Sequence, residues 1–375
     1  MEILSELVYE SKEKDIYFHV ENDKKKQWLF KSNTLKTGLQ LYQPTAIKGI
    51  LFKTIFPYIK HLTFLYKYIG VRKINIEFDD EIKDFINHIV GSSCDFSFFG
   101  GTPCEDQKVV IQISLKGEVI GYCKVAKSLK VAELFDKECN CLKELEKKGV
   151  GNIPKVLGRK KIGSYEIFCQ TNVKSNKAKC VKTFNKVHTE FLINLFQKTL
   201  HTSIFEESNY YKNLMNFKNK VLKSSLEYKD LLIYSINLIS EKYIHTEFNF
   251  GFYHGDFTPW NTAIDEDELK VFDFEYSKES YPPYLDAFHF FLQTEFFVKK
   301  VEDIEDILND YKKFKNKICC FNIDLDMYFI MYLLEIINLY YSRTEIEDEI
   351  DIKHNRVRIK LLRRLLEEYD NRKNN

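Results

Sequence analysis

Through the first third of the chain, hydrophobic and polar residues alternate with the period of two that marks half-buried strands. Residues 15–21 and 27–30 read this way across the charged turn Lys24-Lys25-Lys26, which predicts an N-terminal hairpin. Residues 46–68 (AIKGILFKTIFPYIKHLTFLYKY) are apolar with Lys48, Lys53, Lys60 and Lys67 interspersed, a basic amphipathic pattern that Pro57 is expected to break or kink into two helical pieces. Residues 71–78 read as a strand and 79–90 as a short helix. Three more strand patterns follow at 94–99, 109–115 and 119–125, with a Gly100-Gly101-Thr102-Pro103 turn after the first and a Lys116-Gly117 turn before the third. Over residues 130–148 the period becomes helical, and Glu138, Leu142 and Leu145 fall on one inward stripe. Residues 165–171 form another strand pattern, and 183–245 carry long helical segments. After a strand, Asp-rich turn and strand at 262–274, helical patterns run to the end. A strand-rich part followed by a helical part is an α+β arrangement.

Composition narrows the classes. At 375 residues the chain is long enough for two or three core-bearing units. Lys and Arg number 56 against 55 Asp and Glu, so no global field draws the protein to nucleic acid. The nine Cys are scattered without zinc spacing, and reduced thiols in a cytoplasmic protein are the expectation. The first residues lack the basic and apolar regions of a signal peptide, and no apolar run approaches the ~20 residues of a spanning helix. Residues 46–68 are a candidate contact with the inner face of a membrane; helices packed on the body with their lysines in water are the plainer expectation.

The chemistry concentrates in residues 250–275, FGFYHGDFTPWNTAIDEDELKVFDFE. Polar groups between apolar strands are costly to bury unless paired or bound to a metal. A simple hairpin with a polar turn accounts for Asp265, Asp267 and Glu268. It does not account for His254-Gly255-Asp256 with Asn261 five residues after the Asp, or for Asp273-Phe274-Glu275 at the end of the second strand. The first group keeps the Asp-to-Asn spacing of the protein-kinase H-R-D-x-x-x-x-N loop, and the second stands where D-F-G would. With Gly for Arg in one and Glu for Gly in the other, the chain resembles the aminoglycoside phosphotransferase and choline kinase family, small-molecule kinases that share the protein-kinase fold.

The resemblance implies a bilobal fold with a β-rich lobe over residues 91–172, a helical lobe over 173–375 and an N-terminal extension over 1–90. It implies ATP and Mg²⁺ as cofactors. Asp256 would accept the proton of the acceptor hydroxyl; Asn261 and Asp273 would be hard oxygen ligands for the metal, with Glu275 adding one through water or a second ion. His254 and Asp286 would brace the loop. Lys124 stands where the phosphate-binding lysine belongs, and Glu138 is its expected ion-pair partner, with Glu133 as the other candidate. Gly100 and Gly101 would turn over the phosphates, although they depart from G-x-G-x-x-G. The backbone around Gln170 and Val173 would meet adenine.

The resemblance implies a hydroxyl of a small molecule as the acceptor. Residues 183–245 are not markedly acidic, which counts against a polyamine acceptor, and the abundant Tyr and Phe do not decide for a choline cage. The N-terminal extension leans the expectation toward a sugar of a cell-envelope glycan or glycolipid. A catalytically silent nucleotide-binding protein is the reading from another class.

Overall fold

The computed structural model describes residues 3–11, 15–44, 46–102, 104, 106–342 and 349–374. Pro103 of the expected glycine turn lies outside them. The chain divides into two compact units, one of Met1–Glu144 with Pro154–Asn176 and one of Leu145–Ile153 with Lys177–Asn375. Strands dominate the first and helices the second, the mixed α+β class expected from the sequence.

The first unit is built on a nine-stranded antiparallel sheet. Its strands are β1 (Val8–Glu10), β2 (Ile16–Glu21), β3 (Gln27–Lys31), β4 (Val71–Phe78), β5 (Asp95–Phe99), β6 (Val109–Leu115), β7 (Glu118–Ala126), β8 (Val156–Ile162) and β9 (Tyr165–Thr171). They lie in the order β1-β4-β2-β3-β5-β6-β7-β9-β8. The pairing of β3 with β5, Trp28 opposite Phe99 and Leu29 opposite Phe98, joins the strands of residues 1–90 to those that follow.

Alternation along the strands explains how both faces are covered. Tyr17, Leu29, Ile76 and Phe78 point to one side, where they pack with Ile82 and Ile86 of the helix Asp80–Val90. Phe18, Val20, Trp28 and Phe30 point to the other, against Phe56 of the helix Ile47–Ile59. Each such fully buried side chain contributes roughly 1.5–3 kcal/mol of transfer free energy. The helix Asp80–Val90 starts where the Asp79 carboxylate accepts the Ile82 N–H at 3.0 Å and stops at Gly91, which takes φ +74°.

Pro57 does not divide the helix Ile47–Ile59, contrary to expectation; it sits in the last turn, and the break follows Ile59. A proline there removes a single backbone bond, and Phe56, stacked on Phe52 at 4.8 Å and edge-on to Phe18 at 5.1 Å, anchors that turn to the sheet. The opposite side of this helix is uncovered: Ile47, Ile50, Leu51, Ile55 and Tyr58 are exposed, as are Phe64 and Tyr68 just beyond it.

The second unit holds β10 (His201–Ile204), β11 (Glu247–Tyr253), β12 (Thr262–Asp265), β13 (Glu268–Val271) and β14 (Lys278–Tyr281). Strands β10, β11 and β14 form one small sheet, and β12 with β13 a hairpin. Glu266 and Asp267 turn this hairpin with φ of +51° and +65°, the two left-handed residues of a type I′ turn. The helix Leu325–Tyr341 runs through the middle of the unit, with every residue from Asp326 to Asn338 buried. Its charged members are paired, Asp326 with Arg372 at 2.7 Å and with Lys315 at 3.1 Å, and Glu335 with Lys278. Among the described residues no helix is long and apolar enough to cross a membrane.

Candidate active site

In the second unit the site begins where β11 ends. Asp286, at the start of the helix Leu285–Gln293, accepts the His254 N–H at 2.8 Å and the Gly255 N–H at 3.1 Å. Burial pushes its carboxyl up to about 7, against the lowering effect of the two N–H bonds. Gly255 takes φ +81°, and a Cβ there would lie 2.4 Å from the Tyr276 carbonyl oxygen, so the turn needs glycine. His254 is fully buried, which lowers its pKa to about 4 and keeps it neutral. Its Nδ1 accepts the Asp256 N–H at 3.2 Å and its Nε2 donates to the Phe272 carbonyl at 3.2 Å, a single consistent tautomer. His254 therefore ties the two motif segments together, and its one ring N–H is committed to the Phe272 carbonyl.

Asp256 is held from both sides. Asn261 Nδ2 donates to its Oδ2 at 2.7 Å and to its backbone carbonyl at 3.0 Å, while His289 Nε2 stands 3.3 Å from its Oδ1. The loop between is closed by the Asn261 N–H to Thr258 Oγ1 at 3.2 Å and by Thr262 Oγ1 to the Thr258 carbonyl at 2.9 Å. The Asp256 side chain nevertheless keeps 30% of its surface exposed, whereas that of His289 keeps 3%. An oriented, accessible carboxylate of this kind can accept a proton from a hydroxyl.

The β12–β13 hairpin returns the chain to the same place, and the Phe272 N–H donates to the Asn261 carbonyl at 3.1 Å. Asp273 follows with φ +71°, an uncommon conformation for a non-glycine residue. A carboxylate oxygen of Asp273 and one of Glu275 lie within 4.8 Å of each other. Asn261 Nδ2 is turned to Asp256, which leaves the amide oxygen as that side chain's remaining donor atom. One amide and two carboxylates are the hard oxygen donors that Mg²⁺ takes beside phosphate and water, so the residues fit that ion.

The first unit carries the remaining sequence-predicted residues. Lys124 Nζ on β7 lies 2.7 Å from Glu138 Oε2, and the Glu138 side chain is completely buried. Glu133, the other candidate, is exposed. Burying a carboxylate this deeply is tolerable because the ammonium is beside it. Gly100 donates its N–H to the Gln27 carbonyl at 2.9 Å and accepts from Gln107 Nε2 at 2.7 Å. Gly101, at φ +76°, is pressed so close to Lys108 that a Cβ would meet its carbonyl oxygen at 2.1 Å. Gln170 is buried on β9 opposite Tyr122, and Val173 lies just past the strand in a loop fixed by Asn172, whose Nδ2 donates to the Val119 carbonyl at 3.0 Å.

His289 and its partner Tyr332 were not anticipated. Tyr332 Oη lies 3.0 Å from His289 Nδ1, and burial pushes its phenol up, so it stays protonated and donates; His289 then presents Nε2–H to Asp256. One signal was available: Asp286 and His289 are three apart on one helix and so share a face.

No family model matches the sequence, and no curated protein matches it. Solved structures do. The streptomycin–ATP–APH(2")-IIa ternary complex is matched at 14% identity over 76% of this chain and 97% of that one, with a TM-score of 0.46. A thermostable mutant of aminoglycoside phosphotransferase APH(4)-Ia is matched at 10% identity over 75% and 98%, with a TM-score of 0.45. A choline/ethanolamine kinase family protein from Mesorhizobium loti is matched at 13% identity over 69% of this chain, with a TM-score of 0.43.

Proposed function

We propose that the protein is an ATP- and Mg²⁺-dependent phosphotransferase acting on a hydroxyl of a small molecule. The observation that carries this reading is Asp256, held by Asn261 and His289 yet open to solvent. It is built to orient a hydroxyl and take its proton as the new O–P bond forms. Asn261, Asp273 and Glu275 would hold Mg²⁺, which neutralises phosphate charge when bound. Lys124, fixed by Glu138, would take the phosphates; Gly100, Gly101 and the backbone near Gln170 and Val173 would meet the nucleotide. Positioning and charge neutralisation are most of what this reaction requires.

A sugar of a cell-envelope glycan or glycolipid is the acceptor class we favour. Its support is the uncovered apolar side of the helix Ile47–Ile59, continued by Phe64 and Tyr68 and bordered by Lys48 and Lys67. Such a surface suits insertion into the headgroup region on the cytoplasmic side of a membrane. Sedimentation with anionic vesicles should fall when Ile50, Leu51 and Tyr58 are replaced by Ser, and equal sedimentation would remove the membrane part of the proposal.

The deciding experiment for the reaction is ATP consumption with Mg²⁺ across sugars, glycolipid cores, aminoglycosides and choline, for wild type beside Asp256→Ala. Acceptor-dependent turnover abolished by the substitution supports the enzyme. Nucleotide binding without turnover of any acceptor favours a catalytically silent nucleotide-binding protein.

A further inference from the structure

Trp260 sits in the loop between Asp256 and Asn261, one residue before the point where Asn261 closes that loop on the Asp256 carboxylate. The apolar neighbours along the chain are buried, Phe257 at 0% exposure and Ala263 at 4%, but Trp260 is 46% exposed. Trp260, four residues after Asp256 in the same loop, therefore offers part of its indole at the surface, where a flat apolar partner can stack.

Its one aromatic contact among the described residues is Phe297, itself 42% exposed, at 5.8 Å with the rings at 88°. Phe297 lies in the π-helical turn Thr294–Lys299 that extends the helix Leu285–Gln293. Single π-turns are rare and frequent at functional sites. Here the turn places Phe296 flat on the His354 ring at 4.3 Å and Phe297 edge-on to the same ring at 5.0 Å, so Phe297 is clamped from behind while its outer side stays open. Trp260 and Phe297 thus make a right-angled corner beginning at the loop that holds Asp256.

We propose that this corner is the acceptor platform, with the apolar face of a sugar ring stacked on Trp260 and its edge against Phe297, presenting a hydroxyl to Asp256. The proposal rests on the phosphotransfer reading and names the substrate class of that site. An aromatic corner would also receive an organic cation, but the charged group packed behind this one is a buried guanidinium. The guanidinium of Arg358, 1% exposed, lies 5.4 Å over the Phe296 ring, whereas Lys299 at the end of the same turn is paired with Glu295 at 2.8 Å and Asp310 at 2.6 Å. A ring with neutral C–H bonds on its face and hydroxyls on its rim meets no such repulsion.

The chain has only two tryptophans, and Trp28 is 7% exposed in the first unit, so quenching of fluorescence by acrylamide reads Trp260. Methyl glycosides of common hexoses and N-acetylhexosamines are titrated into the full-length protein, with choline and kanamycin alongside. A glycoside is expected to protect Trp260 saturably, and Phe297→Ala to weaken that protection. For any glycoside turned over, Trp260→Ala should raise its KM about tenfold, equivalent to ~1.4 kcal/mol, leave the KM for ATP in place, and be partly rescued by Trp260→Phe. Protection by choline or kanamycin but by no glycoside, or turnover of a glycoside with its KM unmoved in both alanine variants, overturns the platform while phosphotransfer stands. Protection by a glycoside without turnover supports the platform and counts against phosphotransfer. Absence of protection by every ligand overturns the platform.

Discussion

Asp286 and His254 are joined by a hydrogen bond of 2.8 Å from the His254 backbone N–H to a carboxylate that also takes the next N–H in the chain. The loop that carries Asp256 therefore hangs from a helix residue about thirty positions downstream. Replacing Asp286 by Ala leaves two buried N–H groups without an acceptor, at ~1–3 kcal/mol each. Chemical denaturation should show a loss of that order, with Asp286→Asn intermediate because its single carbonyl oxygen can accept one of the two bonds.

The same two residues give opposing pH dependences. Asp286 has its carboxyl raised from the ordinary 3.8 to about 7, so its contribution is fully present below about pH 4 and lost as pH rises through about 7. His254 is lowered from 6.5 to about 4, so its contribution is present above pH 6.5 and lost as pH falls through about 4. In melting temperatures compared from pH 4 to 8, subtracting the wild-type curve from that of His254→Gln should leave a slope falling with pH. For Asp286→Asn the difference should rise with pH. Parallel curves for all three proteins would contradict both assignments.

Gly255→Ala is expected to be among the most damaging single substitutions in the second unit. The residue needs φ +81°, and its new methyl would press on the Tyr276 carbonyl, which is backbone and cannot swing away. Phosphotransfer should be lost, and soluble yield should fall well below that of Asp256→Ala.

Lys124 and Glu138 form a buried pair whose halves are not independent. Lys124→Met leaves the Glu138 carboxylate uncompensated, a cost of ~3–5 kcal/mol. The double variant Lys124→Met/Glu138→Leu should recover much of the stability and none of the activity. A double-mutant cycle by urea unfolding measures the coupling, and additive losses would show that the pair does not act as one.

His289 positions Asp256 and does not itself need to touch substrate. His289→Ala should lower kcat roughly 10–100-fold, a loss of oriented proton acceptance, with little change in the KM for ATP. Tyr332→Phe, which removes only the bond to His289 Nδ1, should have the same signature in weaker form. A change confined to KM would point to direct binding instead.

What could be read from the sequence was what is local. His254 to Asn261 is eight contiguous residues, and the backbone that brings Asn261 onto Asp256 is fixed by that short loop. Glu138 was separable from Glu133 because a helical stripe repeats with a known period, and Glu133 indeed faces water. Nothing comparable marked Tyr332, which reaches His289 only through the packing of two helices 43 residues apart. The same reason hid the sheet: Trp28 and Phe99 are paired across more than sixty residues, and strand register is set by partners that the local pattern does not name.

That pairing has a consequence for anyone shortening the protein. The native sheet ends on one side in β1, only three residues long, and on the other in β8, which carries Arg159, Lys160 and Lys161. Brevity and consecutive positive charges are both ways of discouraging another chain from adding itself to a row of open amides. Cutting before residue 91 would strip β3 away and leave Asp95–Phe99, with three phenylalanines in five residues, as the new terminus of the sheet. Such a strand templates self-association, so the shortened protein would precipitate for reasons unrelated to whatever residues 46–68 touch.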